Sequence, residues 1–399
     1  MRSHPFFVRD RRFDLGKWLL LACTFLLSCA VFYQLLWQPS SDISIHTTWA
    51  GECDFADLTT FVRHGAHPMW HVLVTLVTLL GVKLEWASIL ITALCKTAEV
   101  WLIHRLMASA LSEKLSRGAV TVFAGICSLV SCLCVPFYNP TVYVGVGSPN
   151  TWHSCTQLCV MVWMLLCVPY TAYCYDSFTD CLPTQREAAR LPWPVGALLG
   201  CLLLLSLLAK PTFMQAFLPA ACLYFLVQWI RHPRNSRYFL QVIVCVLPSV
   251  LFMIFQYLYY FGIIVPWQAS MQLQFSLQKC LDGLLRAVLM MAFPLYAVFV
   301  TRRQKADTCY VLTLAFNAVA VVEYLILGEN GRRAADGNFG WGMMGASLML
   351  WVVCLIRFLK EAHGRPAAGR LLPGWVLLGW HLVSGLYYLY YLLTSGMAL

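Results

Sequence analysis

The chain has 399 residues, 60% hydrophobic and only 12% charged, with a mean hydropathy of +0.68, which excludes a soluble globular protein. Its formal charge of +10 does not point to nucleic acid, because the Lys and Arg residues sit in short clusters between apolar runs, where the charge bias of cytoplasmic loops accounts for them. The 18 cysteines make no disulfide scaffold, since most lie inside runs such as "SLVSCLCVPF", where Cys behaves as a small hydrophobe.

The basic start "MRSHPFFVRDRRFDLGK" leads into an apolar run that reaches Trp37 without a small-residue cleavage pattern, and so reads as a retained first span. Runs long enough to cross about 30 Å of hydrocarbon predict spans at 17–37, 87–104, 119–138, 156–174, 193–209, 212–230, 239–262, 284–301, 308–327, 341–358 and 372–395. The expected fold is an all-α, polytopic transmembrane helix bundle of about eleven spans, one transmembrane domain over residues 1–399. A further apolar run, "MWHVLVTLVTLLG" at 69–81, is short and begins after Pro68. With the N-terminus cytoplasmic, the clusters Arg105/Lys114/Arg117, Arg231/Arg234/Arg237, Arg302/Arg303/Lys305 and Lys360/Arg365/Arg370 all fall inside only if residues 69–81 do not cross. That run is therefore placed as an interfacial or re-entrant helix in a first extracytoplasmic loop, 38–86.

This topology puts 38–86, 139–155, the 210–211 corner, 263–283 and 328–340 outside, and 105–118, 175–192, 231–238, 302–307 and 359–371 inside. The first outer loop is acidic: between Ser40 and Phe61 stand Asp42, Glu52, Asp54 and Asp57 and no Lys or Arg. On the same side lie Lys210 of "LLAKPTF" and Arg332 and Arg333 of "ENGRRAADGNFGWG". Carboxylates facing cations across one membrane face suit a centre that handles an anionic lipid.

Asp42 and His46 are four apart and share a face if that segment is helical; an acidic helix cap would look the same. In "HGAHPMWH", His64, His67 and His71 invite a metal reading, but Pro68 starts a helix there, so only His71 is firmly helical, and the spacing matches no zinc pattern. "VGVGSPNTWHS" at 144–154 is a turn through Gly145, Gly147 and Pro149, after which Asn150, Trp152 and His153 offer the stacking ring and polar groups that a sugar surface needs. Lys210 before Pro211 is a phosphate-binding point charge or a snorkelling lysine. Arg332 and Arg333 run against the loop-charge rule, which favours a role in binding phosphate or lipid headgroups.

An acidic residue just past the first helix, "HPMWHVLVTLVTLLG" as a shallow outer helix and a "KP" corner resemble the GT-C superfamily of integral membrane glycosyltransferases. More narrowly, "SDISIH", "GSPNTWH", "KPTF" and "NFGWG" resemble segments of bacterial membrane proteins in that superfamily, and the likeness runs from Asp42 to Trp341. The resemblance implies an enzyme of the bacterial plasma membrane that moves a sugar from a polyprenyl-phosphate-linked donor to a glycan, lipid or protein acceptor at the extracytoplasmic face. Asp42 matches the first-loop general base. The candidate substrate-binding residues are His46, Asn150, Trp152, His153, Asn338 and Trp341, and Lys210, Arg332 and Arg333 are the candidate cations for the departing lipid phosphate. Some members use a divalent cation, Mg or Mn, for which Glu52, Asp54 and Asp57 are the available oxygen ligands. The paired acidic residues of several members have no adjacent match here, the nearest being Glu52-Cys53-Asp54. A multi-span transporter or flippase for lipid-linked sugars is the alternative, and the few mid-span charges, mainly Lys96, Glu99 and Glu323, bear on it.

Overall fold

A computed structural model of the chain describes residues 14–139, 147–181, 190–266, 270–331, 337–364 and 369–394. Among them the helices are α1 (Leu15–Leu36), α2 (Asp42–Gly51), α3 (Met69–Thr78), α4 (Leu84–Leu111), α5 (Arg117–Leu129), α6 (Cys155–Cys181) and α7 (Trp193–Ala209). There follow α8 (Thr212–Arg231), α9 (Ser236–Tyr259), α10 (Leu277–Val300), α11 (Thr308–Ile326), α12 (Gly340–Gly364) and α13 (Leu372–Thr394). A two-stranded antiparallel ribbon pairs β1 (Met271–Leu273) with β2 (Leu327–Glu329). Nine of the described helices are long and apolar enough to cross a membrane, while α3, α5 and α7 are shorter apolar helices. The protein is an integral membrane helix bundle.

The inward and outward surfaces obey the logic of a lipid solvent. Helix α12 is the axis of the bundle, with every residue from Gly342 to Leu359 buried. Its first turns carry small residues, and a Cβ at Gly342 would lie 3.2 Å from the Thr212 carbonyl oxygen, so small side chains let α8 approach. On α9, by contrast, Leu240, Ile243, Val244, Leu247, Leu251 and Ile254 are exposed. Apolar side chains facing outward along one helix are what hydrocarbon, not water, accepts.

Helix α3 is ten residues long, about 15 Å, half the hydrocarbon thickness. It lies against α2 and α4, and Trp70 donates from Nε1 to Thr92 Oγ1 at 3.1 Å. Pro68 precedes its first residue, as the sequence requires. The connections cluster at two ends. At one, Arg357 donates to the carbonyls of Thr301, Gln304 and Lys305 that follow α10, Arg370 pairs with Glu361, and Thr308 Oγ1 donates to Asp176 at 2.5 Å. Phe178 stacks on Tyr238 there at 3.9 Å. Segments expected to share the cytoplasmic side thus meet one another. At the other end lie α2, α3, the 147–154 loop and the α7–α8 corner.

The predicted span at 119–138 is corrected. Helix α5 stops at Leu129, and residues 130–139 run on without helix although the run is as apolar as its neighbours. The reason lies in other helices, which supply partners for this backbone. Ser131 N–H donates to the His381 carbonyl at 3.2 Å, Leu133 N–H to the Leu289 carbonyl at 2.8 Å, and Cys134 N–H to Ser384 Oγ at 2.9 Å. Trp380 Nε1 donates to the Cys134 carbonyl, and Asn139 folds back to pair with Val135 N–H and the Leu133 carbonyl. Non-helical backbone survives among spans only where protein satisfies it in this way. His381 joins the two neighbours: its Nδ1 donates to the Ser131 carbonyl at 2.6 Å and its Nε2 accepts from Phe293 N–H, just beyond the non-helical Met291 of α10. Gly385 permits the contact, since a Cβ there would overlap the Leu129 carbonyl oxygen.

Candidate active site

Chain reversal after α1 sets up the site. Residues 37–41 leave the helix, and Ser41 caps α2: its Oγ accepts from Ser44 N–H at 3.2 Å and donates to the Leu35 carbonyl at 2.6 Å. Asp42 is then the first residue of a new helix, where a carboxylate complements the positive end of the helix dipole. Asp42 and His46 therefore do share a helix face, on α2, while His46 is buried beneath it.

Across from α2, Lys210 ends α7 in extended backbone before Pro211 opens α8. Its ammonium sits 4.3 Å from the centre of the Trp341 ring, a cation–π distance. The Trp341 ring lies 5.5 Å from the His153 ring at 30°. Gln157 fixes this group, donating from Nε2 to the Trp341 carbonyl at 3.2 Å and accepting from Thr212 Oγ1 at 3.4 Å, which ties α6 to α8 and α12. His153 Nδ1 pairs with the Tyr388 hydroxyl of α13 at 2.6 Å.

The Asp42 carboxylate also acts on His153. Burial pushes His153 down to about 4; the Asp42 carboxylate opposes that shift and the Lys210 ammonium adds to it. For His46 burial is again the main cause of a value well below the usual 6.5, with His71, Lys210 and His64 each adding to it. The Asp42 carboxylate, the Lys210 ammonium, the neutral imidazoles of His46 and His153 and the Trp341 ring thus gather at the α2 end of the bundle. Such a set can accept a proton, bind an anionic oxygen and stack a sugar face.

Other expected residues sit elsewhere. Asn150 is fully buried one layer below, where its Oδ1 accepts from Lys96 Nζ at 3.0 Å and its Nδ2 donates to the Cys127 and Val130 carbonyls that end α5. Trp152 is 1% exposed, with its ring 4.6 Å from Lys96 Nζ. Lys96 itself is paired with Glu99 at 2.5 Å, both fully buried on α4. Asn338 donates to Glu329 Oε2 at 2.6 Å and lines a separate pocket with Lys279, Gln274 and Tyr324 beside the β ribbon. Arg332 and Arg333 lie outside the described residues.

The acidic residues after α2 are engaged locally. Glu52 Oε2 pairs with His64 Nε2 at 2.7 Å, and His64 stacks on Trp49. Asp54 Oδ1 accepts from Ala56 N–H, while Asp57 Oδ1 accepts from both the amide and hydroxyl of Thr59, which hold the Asp57 carboxyl below its usual range. Among the described residues no group of three or more His, Cys, Asp or Glu side chains is placed to hold a metal ion. Glu52, Asp54 and Asp57, each engaged locally, are not placed as a divalent-cation site.

Sequence reasoning missed Gln157, Tyr388 and the Lys96–Glu99 pair as parts that support the site. It weighed His71 only as a metal ligand, whereas His71 Nε2 meets His46 Nδ1 at 3.0 Å. Only the charges of Lys96 and Glu99 within an apolar run signalled them. Compared with protein-family models and with curated proteins, the chain matches none.

Proposed function

We propose that the protein is a glycosyltransferase of GT-C type that moves a sugar from a polyprenyl-phosphate-linked donor to an acceptor hydroxyl at the extracytoplasmic face of the bacterial plasma membrane. In this reading the chain makes about eleven passages, with the N-terminus cytoplasmic and α2 outside. The observation that carries it is the Lys210 ammonium 4.3 Å over the Trp341 ring, itself 5.5 Å from the ring of His153, whose imidazole feels both the Lys210 ammonium and the Asp42 carboxylate from segments more than a hundred residues apart. Asp42 takes the proton from the acceptor hydroxyl as the sugar–phosphate bond opens at the anomeric carbon. Lys210 receives the negative charge left on the departing lipid phosphate, with Arg332 and Arg333 as further cations. Because the leaving group is a stabilised phosphate, no second carboxylic acid has to protonate it. The half-buried Trp341 supplies the ring on which the sugar stacks, with His153 packed behind it.

Lys210 against the Trp341 ring gives the reading an optical test. Added polyprenyl phosphate should change tryptophan fluorescence saturably, and Trp341→Phe should remove most of that change. Lys210→Met should weaken binding by about tenfold or more, since a hydrogen bond to a charged group contributes roughly 1.5–3 kcal/mol. Equal binding by wild type and Lys210→Met would remove Lys210 from the phosphate site.

A transporter or flippase for lipid-linked sugars is the second reading, favoured by the unwound 130–139 segment packed against the kinked α10, since broken helices are common where transporters bind their cargo. It requires movement of intact donor lipid across the membrane, with no sugar–phosphate bond broken.

A further inference from the structure

Two imidazoles face each other at the site, and only one proton lies between them. His46 Nδ1 and His71 Nε2 are 3.0 Å apart, and both rings are buried, against Trp49 and Trp70. Burial lowers His46 well below 6.5 and His71 to about 4, so at neutral pH each ring carries one N–H and one lone pair. Either His46 donates from Nδ1 or His71 donates from Nε2.

The far side of His71 decides between them. Its Nδ1 is buried and meets no hydrogen-bonding group among the described residues. If His46 donated, His71 would accept on Nε2 and carry its own proton on Nδ1, an N–H buried without an acceptor. If His71 donates from Nε2, Nδ1 keeps only a lone pair. Buried orphan N–H groups are the rarer of the two defects. His71 Nε2–H therefore donates, His46 Nδ1 accepts, and the proton of His46 resides on Nε2.

We propose that His71 is a positioning residue that fixes His46 as the Nε2–H tautomer, so that His46 offers a neutral N–H donor to an anionic oxygen beside Lys210. The role given to that donor rests on the reading of the site as one that binds a phosphate-linked substrate. A neutral donor suits such a place: it hydrogen-bonds an oxyanion without adding a second buried positive charge beside the Lys210 ammonium. The arrangement parallels the way a buried partner on one ring nitrogen decides what the other nitrogen does.

The test is tautomer assignment by nitrogen NMR on the full chain, labelled with [15N]histidine in detergent micelles. The His46 resonances are identified by their loss in His46→Gln. At neutral pH the wild type should show His46 protonated on Nε2 and bare on Nδ1, with His71 in the same tautomer. His71→Gln, whose carboxamide also donates, should keep the His46 pattern, whereas His71→Phe should lose it. A wild-type His46 protonated on Nδ1, or on both nitrogens, overturns the proposal, as does an unchanged tautomer in folded His71→Phe. If His71→Phe does not fold, the wild-type His71 tautomer decides alone, because protonation on Nδ1 contradicts the assignment. The spectra need no substrate, so failure of the transfer reading appears separately, as absence of polyprenyl phosphate binding with the tautomers intact.

Discussion

Asp42→Asn is expected to lower turnover of a polyprenyl-phosphate-linked sugar by about 100- to 10,000-fold, the usual contribution of a positioned general base, while leaving donor KM near the wild-type value. Asn keeps the size and the place of Asp at the start of α2, beside the Ser41 cap, so the helix that presents it remains. It cannot take a proton. A fall in kcat with KM unchanged marks an interaction made in the transition state, whereas a rise in KM alone would make Asp42 a binding group. Release of lipid phosphate, followed under saturating donor, separates the two. Turnover equal to wild type would end the role of Asp42 as base.

Lys96→Met is expected to give the largest loss of stability, on the order of 3–5 kcal/mol, because it leaves the Glu99 carboxylate buried and uncompensated. Lys96 and Glu99 are both wholly inside the bundle at 2.5 Å, and the Lys96 ammonium also holds Asn150 and faces the Trp152 ring. Through Asn150 the pair ties the 147–154 loop to the end of α5, and that loop carries His153 into the site. The double variant Lys96→Met/Glu99→Gln should recover much of the lost stability, since it removes the orphan charge. Thermal unfolding in detergent of both variants is the measurement. If the double variant is no more stable than the single one, the pair is not held together by charge compensation.

The extent of legibility follows from what a linear sequence can encode. Apolar length located α7 and α8 almost residue for residue, because an apolar helix is announced by its own composition and by Lys210-Pro211 at the corner. Pro68 likewise announced the start of α3. The end of α5 was not legible: residues 130–138 are apolar enough to be a helix, and what unwinds them is the set of hydrogen bonds from His381, Leu289 and Ser384, far along the chain. The same limit governs the site. Asn150, Trp152 and His153 lie within four consecutive residues, yet His153 sits against Trp341 and feels Asp42 and Lys210, while Lys96 draws Asn150 and Trp152 into the layer below. Asn338 and Trp341, three residues apart, part in the same way, one to Glu329 and the other to Lys210.

The site as a whole explains why an apolar chain places acidic residues directly after its first helix. The break at Trp37–Ser40 lets α2 fold back over the bundle instead of extending from α1, and that reversal is what carries Asp42 and His46 to the α7–α8 corner. Glu52, Asp54 and Asp57 serve the turns that follow, through His64, Ala56 and Thr59.

Turnover itself tests the central claim most directly. Purified protein incubated with a polyprenyl-phospho-sugar and an acceptor hydroxyl should release polyprenyl phosphate in step with formation of glycosylated acceptor, and Asp42→Asn should do neither at a comparable rate. Intact donor lipid after incubation across a series of sugars and acceptors, or its passage across the membrane with the sugar–phosphate bond unbroken, would contradict a transferase.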